Sequence, residues 1–326
     1  MQLEASYRFL RLEAANETFL NYQQANRSVF PIPDFTPASS WNTNHRWVPN
    51  DSLSILNRWD RAYLQINADP FQVLIGKQVI PLGVGQIFNA VSQMQRYPLI
   101  FIDPEFPKTE DAVAVIYSGP WQWEARFLPK APGQQEDNFH LRTKGSLLDI
   151  DVGLIAGRSD DKTFAGFEAA GNWGESLIRG EVSGYRYRNQ HYGQALLGWD
   201  HVFSATWSTK FEIFYNGFGE ISGQTLGVFP HRSTPFRGTW YVGNFTTWEI
   251  HPLLKANLLS VCNLQDSSAL FHTYLNYSLS NSVDLLAGRF FNVGAGKKEL
   301  GGQVPVGLQF GLGQPDISYL ALRWYF

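Results

Sequence analysis

Cysteine is all but missing from this chain of 326 residues: Cys262 stands alone, so neither an internal disulfide nor a cysteine-based metal cluster can form. No stretch approaches the roughly 18 consecutive apolar residues of a membrane-crossing helix, which excludes a helical membrane protein. Charge of one sign is not in excess either. With 26 Lys and Arg against 29 Asp and Glu the net charge is −3, whereas a nucleic-acid partner calls for a dominant basic surface.

Catalytic signatures are equally sparse. The chain has no Gly-x-Ser-x-Gly turn, no zinc-ligand spacing, no phosphate-cradling glycine loop and no dinucleotide motif. Its histidines (His45, His140, His191, His201, His231, His251 and His272) are scattered, and only His201 has a carboxylate, Asp200, at a recognisable spacing. Asp103, Glu105, Glu110 and Asp111 concentrate hard oxygen ligands, but not at the spacing of a calcium loop, and read better as a solvated acidic loop. The expectation is no enzyme, no metal and no cofactor.

Aromatic residues are plentiful. Eleven Trp, fourteen Tyr and 24 Phe exceed the needs of one ordinary core, and the interfacial girdles of a membrane barrel would use them. The mean hydropathy of −0.22 is mildly polar. A barrel in lipid has that balance, because only alternate residues of each strand meet the bilayer.

Alternation with a period of two recurs along the whole chain. Trp121, Trp123, Ala125 and Phe127 oppose Gln122, Glu124 and Arg126; Phe139, Leu141 and Thr143 oppose His140, Arg142 and Lys144. Ala62, Leu64 and Ile66 stand against Arg61, Tyr63 and Gln65, and Phe211, Ile213 and Tyr215 against Lys210 and Glu212. Apolar side chains are expected to face lipid and charged ones a lumen. The segments 71–80, 239–250 and 283–292 resist a facing assignment.

Breaks at Asp69-Pro70, Gly119-Pro120, Leu148-Asp149, 172–174, 204–209, His251-Pro252 and Asn281-Ser282 carry turn residues and divide the chain into about sixteen strands. Between them lie connections of unequal length at 15–51, 82–110, 129–138, 158–162, 188–191, 218–237, 265–268 and 293–314. Short turns thus alternate with longer loops. That pattern predicts one all-β domain over 1–326, a closed antiparallel transmembrane β-barrel with both termini at the periplasmic rim. Export requires a leader, so Met1 is expected to stand where a leader was removed. A soluble sugar-binding or glycosidase β-sandwich would explain the exposed aromatics but not the alternating connections.

Two resemblances sharpen the expectation. The final strand, with Leu320, Leu322, Trp324 and Phe326 on one face and Tyr319, Ala321, Arg323 and Tyr325 on the other, resembles the assembly signal of Gram-negative outer-membrane barrels. It implies that the barrel-assembly machinery is a partner through the Phe326 strand, with outer-membrane lipid or lipopolysaccharide around the wall. The run Ile75 to Val91, with Gly76-Lys77-Gln78, the pair Gly83 and Gly85, and Asn89, followed by Asp111-Ala112, is similar to a pattern of porin-like and alginate-export-like barrels. Lys77 replaces a common arginine and Ala90 a common proline. Phe214-Tyr215-Asn216-Gly217 also recurs in such barrels.

The resemblance implies an outer-membrane porin that passes small polar or charged solutes by diffusion. Its lumen residues are expected to be Arg8, Arg61, Glu124, Arg126, Arg142, Lys144, Arg179, Glu181, Lys210, Glu212 and Arg323, a set of mixed sign. The apolar, proline-containing 82–110 connection is expected to fold inward and narrow the pore through Arg96, Tyr97, Phe101, Asp103 and Glu105. A dedicated exporter of an anionic polysaccharide predicts a continuous basic track instead; a non-conducting barrel acting as adhesin or assembly partner predicts a plugged lumen. A homo-oligomer is compatible with either.

Overall fold

The computed structural model describes residues 2–7, 10–22, 44–50, 53–80, 82–91, 109–130, 136–159, 162–187, 189–221, 236, 238–294 and 317–324. The chain folds into two compact units. The first, Met1–Pro81, Asp103–Thr143 and Gly157–Asp161, holds β1 (Gln2–Tyr7), β2 (Leu10–Tyr22), β3 (Asn44–Asn50), β4 (Leu53–Ala68), β5 (Phe71–Val79), β6 (Thr109–Tyr117) and β7 (Gln122–Leu128). The boundaries fall inside β8 (Asn138–Leu147) and β9 (Ile150–Ser159). The second unit, Leu82–Ile102, Lys144–Ala156 and Lys162–Phe326, holds β10 (Lys162–Trp173), β11 (Ser176–Tyr187), β12 (Gln190–Ser204), β13 (Trp207–Asn216), the short helix α1 (Phe218–Ile221), β14 (Trp240–His251), β15 (Leu254–Asn263), β16 (Ser268–Ser280), β17 (Val283–Val293) and β18 (Ile317–Trp324).

Within each unit consecutive strands pair antiparallel, as β4, β5, β6 and β7 do in the first and β10 to β18 in the second. About sixteen strands were expected, and the described residues form eighteen. The opening alternation divides into β1 and β2, a hairpin with Tyr7 opposite Leu10, and β3 pairs with β4 inside the segment expected to be a loop. The expected short turns lie between the strands. At the β8–β9 turn both Leu148 (φ 52°) and Asp149 (φ 63°) are left-handed, as a two-residue turn matched to the strand twist requires. Register shifts at Val202/Ser204, Glu249/His251 and Ser278/Ser280 each fall beside a short turn.

The faces of the strands are inverted relative to a water-soluble sheet. In β7 Trp123 and Phe127 are exposed while Glu124 and Arg126 are buried; in β8 Phe139 and Leu141 are exposed while His140 and Arg142 are buried. The same holds in the second unit, where Phe167, Val182, Leu197 and Ile213 are exposed opposite buried Glu168, Arg179, Glu181 and Glu212. Leu320 and Leu322 of β18 are exposed too. Leaving a large apolar side chain in water forfeits about 1.5–3 kcal/mol. Rows of them, repeated strand after strand, are tolerable where the surrounding solvent is itself apolar.

Candidate functional site

In the first unit the buried polar face holds a connected cluster. Arg126 donates from Nε to Glu124 Oε1 at 2.5 Å and from Nη1 to Gln78 Oε1 at 2.7 Å, and His140 Nε2 lies 3.2 Å from the same Glu124 oxygen. Gln78 Nε2 donates in turn to the Ala112 carbonyl at 3.0 Å. A buried charge needs such partners, since removing one leaves the other desolvated and unpaired. The Gly76-Lys77-Gln78 motif is what admits Gln78 to this cluster. Gly76 has φ +136°, and a Cβ there would run into the backbone of Ala62 and Tyr63, so the chain bends and three consecutive residues, Gly76, Lys77 and Gln78, are buried.

In the second unit residues 82–91 lie on the buried face of the strands, held there by two carboxylates. Glu181 on β11 accepts four backbone N–H groups: those of Val84 (2.5 Å) and Gly85 (2.6 Å) at Oε1, and those of Ala90 (2.6 Å) and Val91 (3.3 Å) at Oε2. Glu212 on β13 accepts Gln86 N–H at 2.7 Å on Oε1, and Ile87 and Phe88 N–H at 3.0 and 2.9 Å on Oε2. Arg179 completes the arrangement. Its Nη1 donates to Glu212 Oε1 and to the Val84 carbonyl, both at 2.6 Å, and its other guanidinium nitrogens donate to Asp200. A carboxylate has about four lone-pair sites. Both Glu181 and Glu212 are therefore saturated by the protein's own donors.

Local sequence makes this docking possible. Arg179, Gly198, Glu212 and Gly243 form one cross-strand row over β11 to β14, and the bare Gly198 lets the guanidinium pass over β12, since its Cβ would lie 3.1 Å from Arg179 Cζ. A Cβ on Gly243 would meet Phe88 and Ile87 at 2.8 and 2.9 Å, so the segment rests where side chains are absent. Gly83 has φ +84°, and Asn89 closes the loop by donating to the Leu82 carbonyl (2.7 Å) and accepting from Val91 N–H (3.0 Å). Ser183 and Tyr185 hydroxyls both donate to the Ala90 carbonyl at 2.5 Å.

An apolar cluster secures the other half of the segment. Ile87, Phe88 and Ala90 pack with Leu196, Phe214, Phe236, Tyr241, Val261, Leu270 and Phe290; Phe88 stacks on Phe214 with ring centres 5.2 Å apart. The buried face of β14 to β17 is thus largely aromatic and aliphatic here, not charged.

The expected lumen residues divide accordingly. Glu124, Arg126 and Arg142 are buried on one polar face, Arg61 is half-buried, and Lys144 is exposed at the end of β8. Arg179, Glu181 and Glu212 are the anchor described above, and Lys210 reaches Gln86 Oε1 at 3.1 Å. Arg8, the side chain of Arg323, and the expected constriction residues Arg96, Tyr97, Phe101, Asp103 and Glu105 lie outside the described residues. Gln78 was named from the sequence only for its motif and not as a partner of Arg126, and Gly198 and Gly243 were unforeseen; glycines opposite charged residues in otherwise regular strands were the available signal.

No family model and no curated protein matches the chain. Solved structures do, each at 9% identity: OccAB3 of Acinetobacter baumannii (TM-score 0.52, covering 100% of this chain and 90% of that one), OccAB2 of the same organism (0.50; 98% and 90%) and OpdK of Pseudomonas aeruginosa (0.51; 90% and 87%). The chain shares its fold with these three proteins. The likeness is one of β-strand architecture at low identity, and it agrees with the inverted strand faces of both units.

Proposed function

We propose that the protein is an outer-membrane porin: a single antiparallel β-barrel, closed around a wet lumen, through which small polar or charged solutes diffuse. The inversion of the strand faces carries this reading, because charged pairs such as Arg126–Glu124 and Arg179–Glu212 are buried while Trp123, Phe139 and Leu197 are exposed. Residues 82–91, drawn onto the polar face, support a pore narrowed by the 82–110 connection. Carboxylates stand beside the arginines in both clusters, which favours a lumen of mixed sign over the continuous basic track of a polyanion exporter.

Single-channel recording in planar bilayers tests this. Discrete conductance steps and a small reversal potential in a salt gradient are expected. A protein that inserts and folds but never conducts would instead act as an adhesin or assembly partner. OpdK was solved with vanillate, so small aromatic carboxylates are a fitting first set for solute-block measurements.

A further inference from the structure

One patch of the outer faces is not filled by large apolar side chains and carries a charge. On the outward side of β10, β11 and β12 stand Thr163, Ala165, Gly184, Arg186, His191 and Gly193, which together with the buried Phe164, Tyr185 and Tyr192 line a groove of roughly 650 Å³. The strand register orders these side chains in two rows. Thr163, Arg186 and His191 lie opposite one another across the three strands, and one step further along the strands Ala165, Gly184 and Gly193 do the same. Beyond them come the exposed Phe167, Val182 and Leu197.

The glycines here differ from those beneath residues 82–91. A Cβ on Gly184 would meet nothing within 4 Å, and one on Gly193 would meet only the Ser183 carbonyl, at 3.6 Å, an ordinary contact. Among the described residues neither glycine is demanded by packing, and together they leave a strip of bare backbone on the outward face. The cationic row lies at the end of β11 and β12 that leads into their connection, which is also the end of the long 218–239 connection. In a barrel this is where the apolar band gives way to the headgroups of the outer leaflet, and a long arginine there keeps its charge in the polar layer.

Building on the proposed outer-membrane barrel with its long connections outward, we propose that this groove binds a phosphorylated glycolipid of the outer leaflet, of the lipid A type. Arg186, flanked by His191, receives a phosphate through the two-pronged geometry of the guanidinium. The backbone floor of Gly184 and Gly193 accepts the first part of an acyl chain, and Phe167, Val182 and Leu197 line its continuation. The charge selects the anionic headgroup and the trough selects a lipid over a free ion.

Native mass spectrometry of the full chain in detergent, titrated with bisphosphorylated lipid A, its dephosphorylated form and inorganic phosphate, tests the assignment. The expected result is one bound lipid A, binding at least tenfold weaker in Arg186→Glu, partly restored in Arg186→Lys, and also weakened in Gly184→Leu, where the charge is intact and the trough is filled. Dephosphorylated lipid should bind poorly and inorganic phosphate should not compete. Wild-type affinity in both Arg186→Glu and Gly184→Leu, or equal binding of the dephosphorylated lipid, overturns the proposal; competition by inorganic phosphate at comparable concentration shows an ion site and overturns it too. Conductance of the same samples separates the two readings. Variants that insert and conduct yet bind lipid A as wild type sink only the lipid site, whereas a wild-type protein that neither inserts nor conducts sinks the barrel beneath it.

Discussion

Replacing Glu212 with alanine removes the acceptor for three backbone N–H groups, those of Gln86, Ile87 and Phe88, and for Arg179 Nη1. A buried donor left without an acceptor costs about 1–3 kcal/mol, so the three amides alone represent on the order of 3–9 kcal/mol, toward the lower end where water enters the vacated volume. Opposing detachment is the burial of Phe88, worth about 1.5–3 kcal/mol. Since roughly 5.5 kcal/mol carries a two-state equilibrium from 1:99 to 99:1, the loss is large enough to move residues 82–91 off the strands for a substantial fraction of the time.

Two assays read this out in reconstituted protein. Single-channel traces of Glu212→Ala should show a higher mean conductance with added open-channel noise, and protease added on the loop side should cut within 82–91 where wild type is protected. Glu212→Gln keeps one acceptor oxygen and should fall between. Glu181→Ala should behave like Glu212→Ala, and the double variant should be little worse than either, because both carboxylates hold one short segment and their effects are coupled. Unchanged conductance together with full protection in Glu212→Ala would refute the claim that these carboxylates hold the segment in place.

Three further outcomes follow from the same geometry. Phe88→Ala, which empties a site between Phe214 and Phe236, should lower folding stability by about 3–5 kcal/mol, measured by urea titration in vesicles. Arg126→Met should cost about 3–5 kcal/mol by stranding Glu124, while the pair Arg126→Met with Glu124→Gln should recover much of that loss. Arginine placed on the exposed apolar face at Leu197 should cost about 2–4 kcal/mol in bilayer-supported folding, but close to nothing at Leu148 in the β8–β9 turn; equal costs at the two positions would contradict a lipid-facing wall.

How much of this was legible depended on what each strand buries. Where the buried face is polar, as in β7 and β8, strict alternation disclosed both the strand and its facing. The segments 71–80, 239–250 and 283–292 resisted for identifiable reasons. In β5 the left-handed Gly76 breaks the period before Lys77 and Gln78. In β14 and β17 the buried face carries Tyr241, Leu286 and Phe290, which pack in the protein's interior, and the exposed face carries Trp240, Trp248 and Val293, so apolar residues occupy both sides and the contrast vanishes. β3 was hidden because it is only 7 residues long, carries Pro49 and pairs with β4 through a register shift between Trp47 and Asn50, so no clean alternation marks it.

The anchor was hidden for a deeper reason. Glu181 and Glu212 stand at charged positions of alternating strands and read as lumen charges available to solute, yet every donor they meet is a backbone N–H of a distant segment or Arg179. A carboxylate that binds main chain leaves no complementary side chain to recognise in the partner sequence. The same fact bears on how the segment can vary. Side chains that point away from the strands are free of the anchor, so an exposed position such as Gln86 can change without undocking the segment, apart from its contact with Lys210. Gly83 and Asn89 cannot, because one supplies the left-handed turn and the other ties Leu82 to Val91. If the protein is the porin proposed above, the residues that this segment presents to solute can be exchanged while the backbone path that holds the segment in place is kept.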